Sequence, residues 1–265
     1  MRIVVPIKQV PETDNVKMDE TTGTMIREGV ESIINPLDLY AIELALVLRE
    51  QHGGEVIAIS MGPAQAAKAL REALAMGCDS AVLLSDRTFA GADTWATSYV
   101  LQAGVRRLGD IDLVICGERA TDGETGQVGP ATAAMLNLPA ATYVSRFEAL
   151  ENGHIRVRRI VEGGWQVLRL KLPALLTVVK EISQPRLPTL RGKQRARAAD
   201  IPVWKAGDLD LQADMLGLAG SPTRVVNIHR PKVARQCRKI VAADPQSIAD
   251  AADEVVTMLR ERDLI

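Results

Sequence analysis

The chain has 265 residues, and 47% of them are hydrophobic, yet it holds only three Trp, three Tyr and two Phe. Its core must therefore be built from Ala, Val, Leu and Ile, the usual material of a parallel sheet covered by helices. A net charge of −1 gives no general drive towards nucleic acid or acidic membrane surfaces, and no apolar run approaches the roughly 18 residues that span a bilayer.

The opening Met1-Arg2-Ile3-Val4-Val5 enters a strand directly, without the segments of a secretion signal, and this sets the expectation of a cytoplasmic protein. Arg2–Lys8 reads as the first strand. Lys17-Met18-Asp19 and Thr24-Met25-Ile26, on either side of Gly23, suggest a small hairpin. Asn35-Pro36 opens a helix: proline has no amide hydrogen to lose at the first position, and the Asn side chain can cap free amides. Leu39, Ile42, Ala45 and Leu46 follow at helical spacing, and His52-Gly53-Gly54 ends the helix.

Val56–Met61 is a second strand, with an Ala-rich helix over 64–76, a strand at Ala81–Leu84 and a helix from about Thr94 to Leu108. Asp112–Cys116 is a fourth strand. The loop Gly117–Gly126, a helix to Leu136 and a strand at Pro139–Val144 come next. Successive βα units close right-handed and lie parallel, so the expected fold class is α/β: an open, mostly parallel, doubly wound, nucleotide-binding sheet with helices on both faces.

Beyond Arg146 the pattern changes. His154–Val161 and Trp165–Leu170 alternate around Glu162-Gly163-Gly164, as in an antiparallel hairpin, and Leu172–Val179 returns to the sheet. From about Ile182 the chain is rich in Pro, Arg, Lys and Asp, which reads as an extended arm reaching over another surface. The expected division is a nucleotide-binding domain over 1–182 and a partner-binding arm with a last helix over 183–265. That helix, about Gln246–Arg262, carries Ile248, Ala252, Val255, Val256 and Leu259 on one stripe that needs a partner surface.

Cys78, Cys116 and Cys237 form no CxxC pair and are expected to be buried, reduced thiols rather than metal ligands or disulfides. His52, His154 and His229 lack a carboxylate or nucleophile at motif spacing, so ordinary surface or core roles are expected. No nucleophile–base arrangement and no lysine-bearing phosphate loop is present, which argues against a stand-alone hydrolase or ligase.

In open parallel sheets ligands sit outside the carboxyl ends of the strands. After the fourth strand, Cys116-Gly117-Glu118-Arg119-Ala120-Thr121-Asp122-Gly123-Glu124-Thr125-Gly126-Gln127-Val128-Gly129-Pro130 packs glycines, hydroxyls and backbone amides before a helix. Such a start can hold a phosphate through free N–H groups and the dipole. The alternative is an ordinary βα loop in which Asp122 and Thr125 cap the next helix. Asp122 and Glu124 weigh against bare phosphate affinity, and suit ribose hydroxyls or backbone amides instead. The loop is neither a GxGxxG fingerprint nor a Walker loop.

Val157–Thr177, VRRIVEGGWQVLRLKLPALLT, resembles the signature segment of electron-transfer flavoprotein β subunits. VVPIKQVP, INPLD, SMGPAQA, ALAMGCD and GERATDGETGQVGP resemble the same family in the same order, so the likeness spans nearly the whole chain. The resemblance implies an α subunit that holds FAD and, in housekeeping members, a structural AMP in the β subunit. The family's AMP pocket carries over onto Pro6, Asn35, Asp38 and Met61, and onto the loop at Cys116, Gly117, Arg119, Thr121, Asp122, Gly123, Glu124, Thr125, Gly126, Gln127, Val128, Gly129 and Thr132. Thr121, Asp122, Thr125 and Gln127 would bond ligand hydroxyls and phosphates. Arg119 is either a charge near the flavin or its phosphates, or a surface arginine.

The segment about Pro185–Arg197 resembles the loop that docks onto acyl-CoA-dehydrogenase-type flavoproteins. Leu190 would be its apolar anchor, with Arg191, Lys193, Arg195 and Arg197 as a basic rim. One departure matters. Housekeeping relatives carry D-D-D-x-N-Q-T-G where this chain has Asp122 to Pro130, a form similar to electron-bifurcating members in which FAD replaces AMP. Gly123 and Gly126 remove side chains where a longer ligand would run. The resemblance thus implies a β subunit that holds FAD and accepts electrons from NADH. A housekeeping subunit with AMP, or a nucleotide-binding signalling module, are the alternatives.

Overall fold

The structure, a computed structural model, describes residues 1–12, 32–226, 237 and 239–265. The hairpin expected around Gly23 and the tail position of His229 lie outside the described residues. The chain forms two compact units, residues 1–226 and 227–265.

In the first unit, β1 (Arg2–Pro6), β4 (Glu55–Met61), β5 (Ser80–Leu84), β6 (Leu113–Gly117), β10 (Ala174–Val178), β7 (Ala140–Glu151) and β11 (Val203–Trp204) run parallel. With β8 (His154–Val161) and β9 (Gly164–Lys171) they make a nine-stranded sheet in the order β11-β5-β4-β1-β6-β10-β7-β8-β9. The last two strands pair antiparallel, and Ile160 faces Trp165 across the expected turn. The strand expected at Pro139–Val144 is longer, because β7 runs on to Glu151 as the partner of β8. Gln9–Pro11 (β2) and Ser32–Ile34 (β3) form a separate two-stranded antiparallel sheet, so β1 stops at Pro6 rather than Lys8.

The helices take both faces. Ile3 and Val5 point into a core shared with α1 (Pro36–His52) and α2 (Ala67–Met76), whereas Val4 points into the core under α3 (Thr94–Leu108) and α4 (Val128–Leu136). Central strands are buried on both sides, which is why they read as continuous apolar runs. Gly104 lets α3 lie close to the sheet, since a Cβ there would come within 2.8 Å of Ile59 and Leu84 side chains.

The first unit runs on to residue 226, and the basic segment after Ile182 lies along it. Arg186 bonds Glu43 and Glu50 of α1. The helix α5 (Leu190–Ala198), capped by Thr189, packs on α2; Arg71 donates to the Ala196 and Ala199 carbonyls, and β11 then joins the sheet edge. Gly192 is required there, because a Cβ would stand 2.2 Å from the Ala75 carbonyl oxygen.

In the second unit, α6 (Pro245–Glu261) starts from an Asp244–Ser247 capping box, and none of its residues is buried. Ile248, Val255, Val256 and Met258 are exposed along it. Cys237 is exposed, whereas Cys78 and Cys116 are buried. The expectation of three buried thiols therefore fails at Cys237, in a stretch where no described residue beyond 226 is buried. Among the described residues no helix is long and apolar enough to cross a membrane, and no group of His, Cys, Asp and Glu could hold a metal ion.

Candidate functional site

The strand order reverses at β1. Its link to β4 runs through α1 on one face, and β5 reaches β6 through α3 on the other. The loops after β1 and β6 therefore diverge and leave a crevice at their carboxyl ends, the place where doubly wound sheets bind ligands. Pro6, Met61 and Gly117 end β1, β4 and β6 at this edge.

A buried polar knot joins the two loops. Asn35 is 1% exposed, and its side chain does not cap α1 as the sequence suggests. Its Nδ2 donates to Asp38 Oδ1 at 2.9 Å and to the Arg119 carbonyl at 2.8 Å, while its Oδ1 accepts the Thr121 amide at 3.1 Å. The long-range loop takes the side-chain oxygen that a cap would have used. Asp38 accepts the Lys8 amide at 2.7 Å. Burial pushes its carboxyl up to about 7, against the Lys8 amide, the Asn35 side chain, the Lys8 charge and the Gly117 amide, which all pull it down. Gly117 sits so close that a Cβ would lie 2.4 Å from Asp38 Oδ1.

The loop from Glu118 to Gln127 carries three carboxylates and one arginine, and draws a further cation from the end of β1; Glu118 lies 3.9 Å from Arg119 Nε. Asp122 bonds Lys8 Nζ at 2.7 Å, and Arg119 pairs with Glu124. Neither Asp122 nor Thr125 caps α4; Thr125 Oγ1 instead accepts from Thr94 Oγ1 at 3.1 Å. The first amides of α4, at Val128 and Gly129, receive no capping side chain, and Pro130 has none to offer. Gly129 brings the helix start onto the sheet, since its Cβ would meet Thr177 Cγ2 at 2.5 Å. The Thr132 hydroxyl donates to the Val128 carbonyl inside the helix, and Cys116 is buried with its thiol pushed up by desolvation. Those two side chains line the helix packing rather than the crevice.

Gly126 has φ +61°; a Cβ on it would stand 3.4 Å from the Glu118 carbonyl and 3.9 Å from the Tyr143 hydroxyl. Around Gly123 nothing lies within 4 Å of where a Cβ would be. Sequence reasoning missed Lys8, Thr94, Tyr143 and Thr177 as neighbours of this loop. The signal for Lys8 was its place just after a strand end.

The residues expected to meet a partner are not near the crevice. They lie on α5, whose first turn abuts Ala75 at the end of α2 that leads into β5, at the opposite end of the strands. Leu190 is 82% exposed and Arg191, Lys193 and Arg197 are exposed, but Arg195 donates to the Leu74 and Cys78 carbonyls and so ties α5 to the fold. His52 makes an edge contact with Phe147, and His154 Nδ1 bonds the Asn152 carbonyl.

Crevice, knotted loop and uncapped helix together define an open α/β protein with a polar crevice at its topological switch point. A family model described as the electron transfer flavoprotein domain matches residues 22–209. Subunit CarD of the caffeyl-CoA reductase–Etf complex of Acetobacterium woodii is 44% identical over the whole of both chains. The electron transfer flavoprotein subunit beta of Thermoanaerobacterium thermosaccharolyticum is 45% identical over the same full extent. Protein FixA of Azorhizobium caulinodans is 42% identical over 95% of this chain and 92% of its own. The chain belongs to the electron transfer flavoprotein family, as a member of its β-subunit branch. Electron transfer is the work of that family, and an α subunit is the partner of its β chains.

Proposed function

We propose that this chain is the β subunit of a cytoplasmic electron-transfer flavoprotein heterodimer that holds FAD rather than AMP. The complex oxidises NADH and delivers electrons to the α-subunit FAD and to an acyl-CoA-dehydrogenase-type flavoprotein. The observation that carries the FAD reading is the glycine-lined route along the loop. It passes the open position at Gly123 and the left-handed Gly126, and ends at the uncapped amides of α4. Backbone without side chains can approach a pyrophosphate closely, and the helix start favours its charge.

The residues present fit a dinucleotide. Asn35 and Asp38 fix the floor of the crevice, Thr121 and Asp122 offer groups for ribose hydroxyls, and Lys8 and Arg119 can turn from their carboxylates towards phosphate. FAD supplies the redox chemistry when bound; the chain binds it, orients it and keeps the loop shape around it. The exposed Leu190, Arg191, Lys193 and Arg197 on α5 serve the docking of the dehydrogenase, and Arg195 anchors that helix. Residues 183–265 act as the partner-binding part of the chain.

The test is the nucleotide content of the complex purified with its α subunit, released by acid and separated by chromatography. Two FAD and no AMP per heterodimer is the expected result, with NADH bleaching the flavin absorbance. One FAD and one AMP would make it a housekeeping carrier, and no recoverable nucleotide or α subunit would overturn the proposal.

A further inference from the structure

Tyr143 closes the far side of the same loop in a conformation that needs a reason. It is one of four non-glycine residues with positive φ among the described residues, at +56°, and it is a bulky aromatic inside a strand rather than a turn residue. Such a backbone is strained for a bulky L-residue and persists only where the surroundings impose it. Here they do. The Tyr143 amide donates at 3.1 Å to Oγ1 of Thr177, which is 2% exposed in β10, and the register between β7 and β10 shifts at this point. The ring is left 46% exposed with its hydroxyl beside Gly126. No packing role explains a half-exposed ring held in strain by a buried hydroxyl.

Position decides what the ring is for. The Asn35–Asp38–Lys8 knot lies on the β1 side of the loop, and the α4 amides lie at its end. Tyr143, on β7, stands on the other side of the loop from β1, with its hydroxyl beside Gly126. A mononucleotide seated on the knot side with its phosphate at the α4 start has no group beyond that phosphate to place on the β7 side. A dinucleotide with its pyrophosphate there has one. We propose that Tyr143 is the contact for the half of the ligand beyond the phosphates, its ring lying against the second planar group, and that it makes this site select FAD over AMP. The inference rests on the FAD reading above.

The heterodimer is stripped of nucleotide and titrated separately with FAD, followed by flavin fluorescence quenching, and with AMP, followed by calorimetry. Tyr143→Leu should weaken FAD about tenfold, the size of one aromatic contact, and leave AMP within about twofold. Tyr143→Phe should restore FAD affinity, because the ring and not the hydroxyl makes the contact. Thr177→Val, which frees the amide that aims the ring, should fall in between. FAD binding by the wild type that Tyr143→Leu leaves unchanged, or an equal loss for both ligands, overturns the role of Tyr143 alone. Uptake of AMP but not FAD by the wild type removes the FAD reading and this role with it.

Discussion

Replacing Gly117 by alanine tests how the crevice is held. A Cβ on Gly117 would stand 2.4 Å from Asp38 Oδ1 and 2.9 Å from the Leu37 carbonyl carbon and oxygen. The Leu37 atoms are backbone in the first turn of α1, and Asp38 is buried and bonded to the Lys8 amide and Asn35. Neither can retreat unless the start of α1 moves. Overpacking of this kind costs about 1–3 kcal/mol. With a urea dependence of about 2–3 kcal/mol/M, the midpoint should fall by roughly 0.5–1 M. Gly123→Ala is the control: nothing lies within 4 Å of its Cβ position and its φ is not left-handed, so its change should stay within about 0.5 kcal/mol. Urea titration followed by far-ultraviolet circular dichroism measures both. Equal midpoints for the two variants would refute the close approach of β6 to α1.

Three further outcomes are expected. Asp38 has an ordinary value of 3.8 and a folded one of about 7, so its contribution to stability is complete below 3.8 and is lost as pH rises through about 7. Asp38→Asn should remove that loss, and thermal unfolding at pH 5 and pH 8 should show the variant gaining more on the wild type at the higher pH. Arg186→Met leaves Glu43 buried without its partner and should cost about 2–3 kcal/mol in a denaturant titration, below the cost of breaking a fully buried pair because Arg186 is partly exposed. The same change should flatten the acid limb of stability. Arg186 holds Glu50 below its ordinary 4.5, so that contribution is present above 4.5 and is lost as pH falls through the folded value. A maleimide should label one thiol in the native chain, Cys237, and three after denaturation. Burial pushes Cys78 up to about 12, leaving about one thiolate in ten thousand at pH 8, and desolvation raises Cys116 as well.

The sheet and its helices were legible because their signals are local. Buried strands read as apolar runs, α3 spans the expected Thr94–Leu108, and the Glu162-Gly163 turn sets the hairpin. What escaped depends on partners far away in the chain. The side chain of Asn35 bonds Thr121 and Arg119, 86 and 84 residues on, and a local rule can only offer it the cap of its own helix. The basic stretch after Thr189 reads as an extended arm reaching over another surface because its charges hide a helix. Thr189 followed by Gly192, with Arg, Lys, Gln and Ala between turn positions, was the available sign of a capped helix packed closely on another. At the crevice, the loop and the two residues bonded beneath it, Asn35 and Asp38, were visible, whereas Tyr143 and Thr177 were not, since strain and register shifts leave no pattern in composition.

The charges of the loop argue about what sort of ligand this edge can hold. Asp122 and Glu124 looked unfavourable for a phosphate, but each already has a cation, Lys8 or Arg119, and those cations are about half exposed. Ion pairs of that exposure are worth about 1 kcal/mol or less, so exchanging a carboxylate for a phosphate costs little and gains little. With Glu118 also beside Arg119, the cluster has three carboxylates to two cations, so an anion arriving here finds no positive well. Net charge therefore cannot be the source of affinity, and a small, highly charged ligand has little to hold it. Affinity must come from many modest contacts spread along the chain of a longer ligand: the knot at Asn35 and Asp38, the amides of α4 and the surfaces beyond Gly126. The dinucleotide proposed above would offer such contacts along its length, whereas inorganic phosphate or a compact polyphosphate would not.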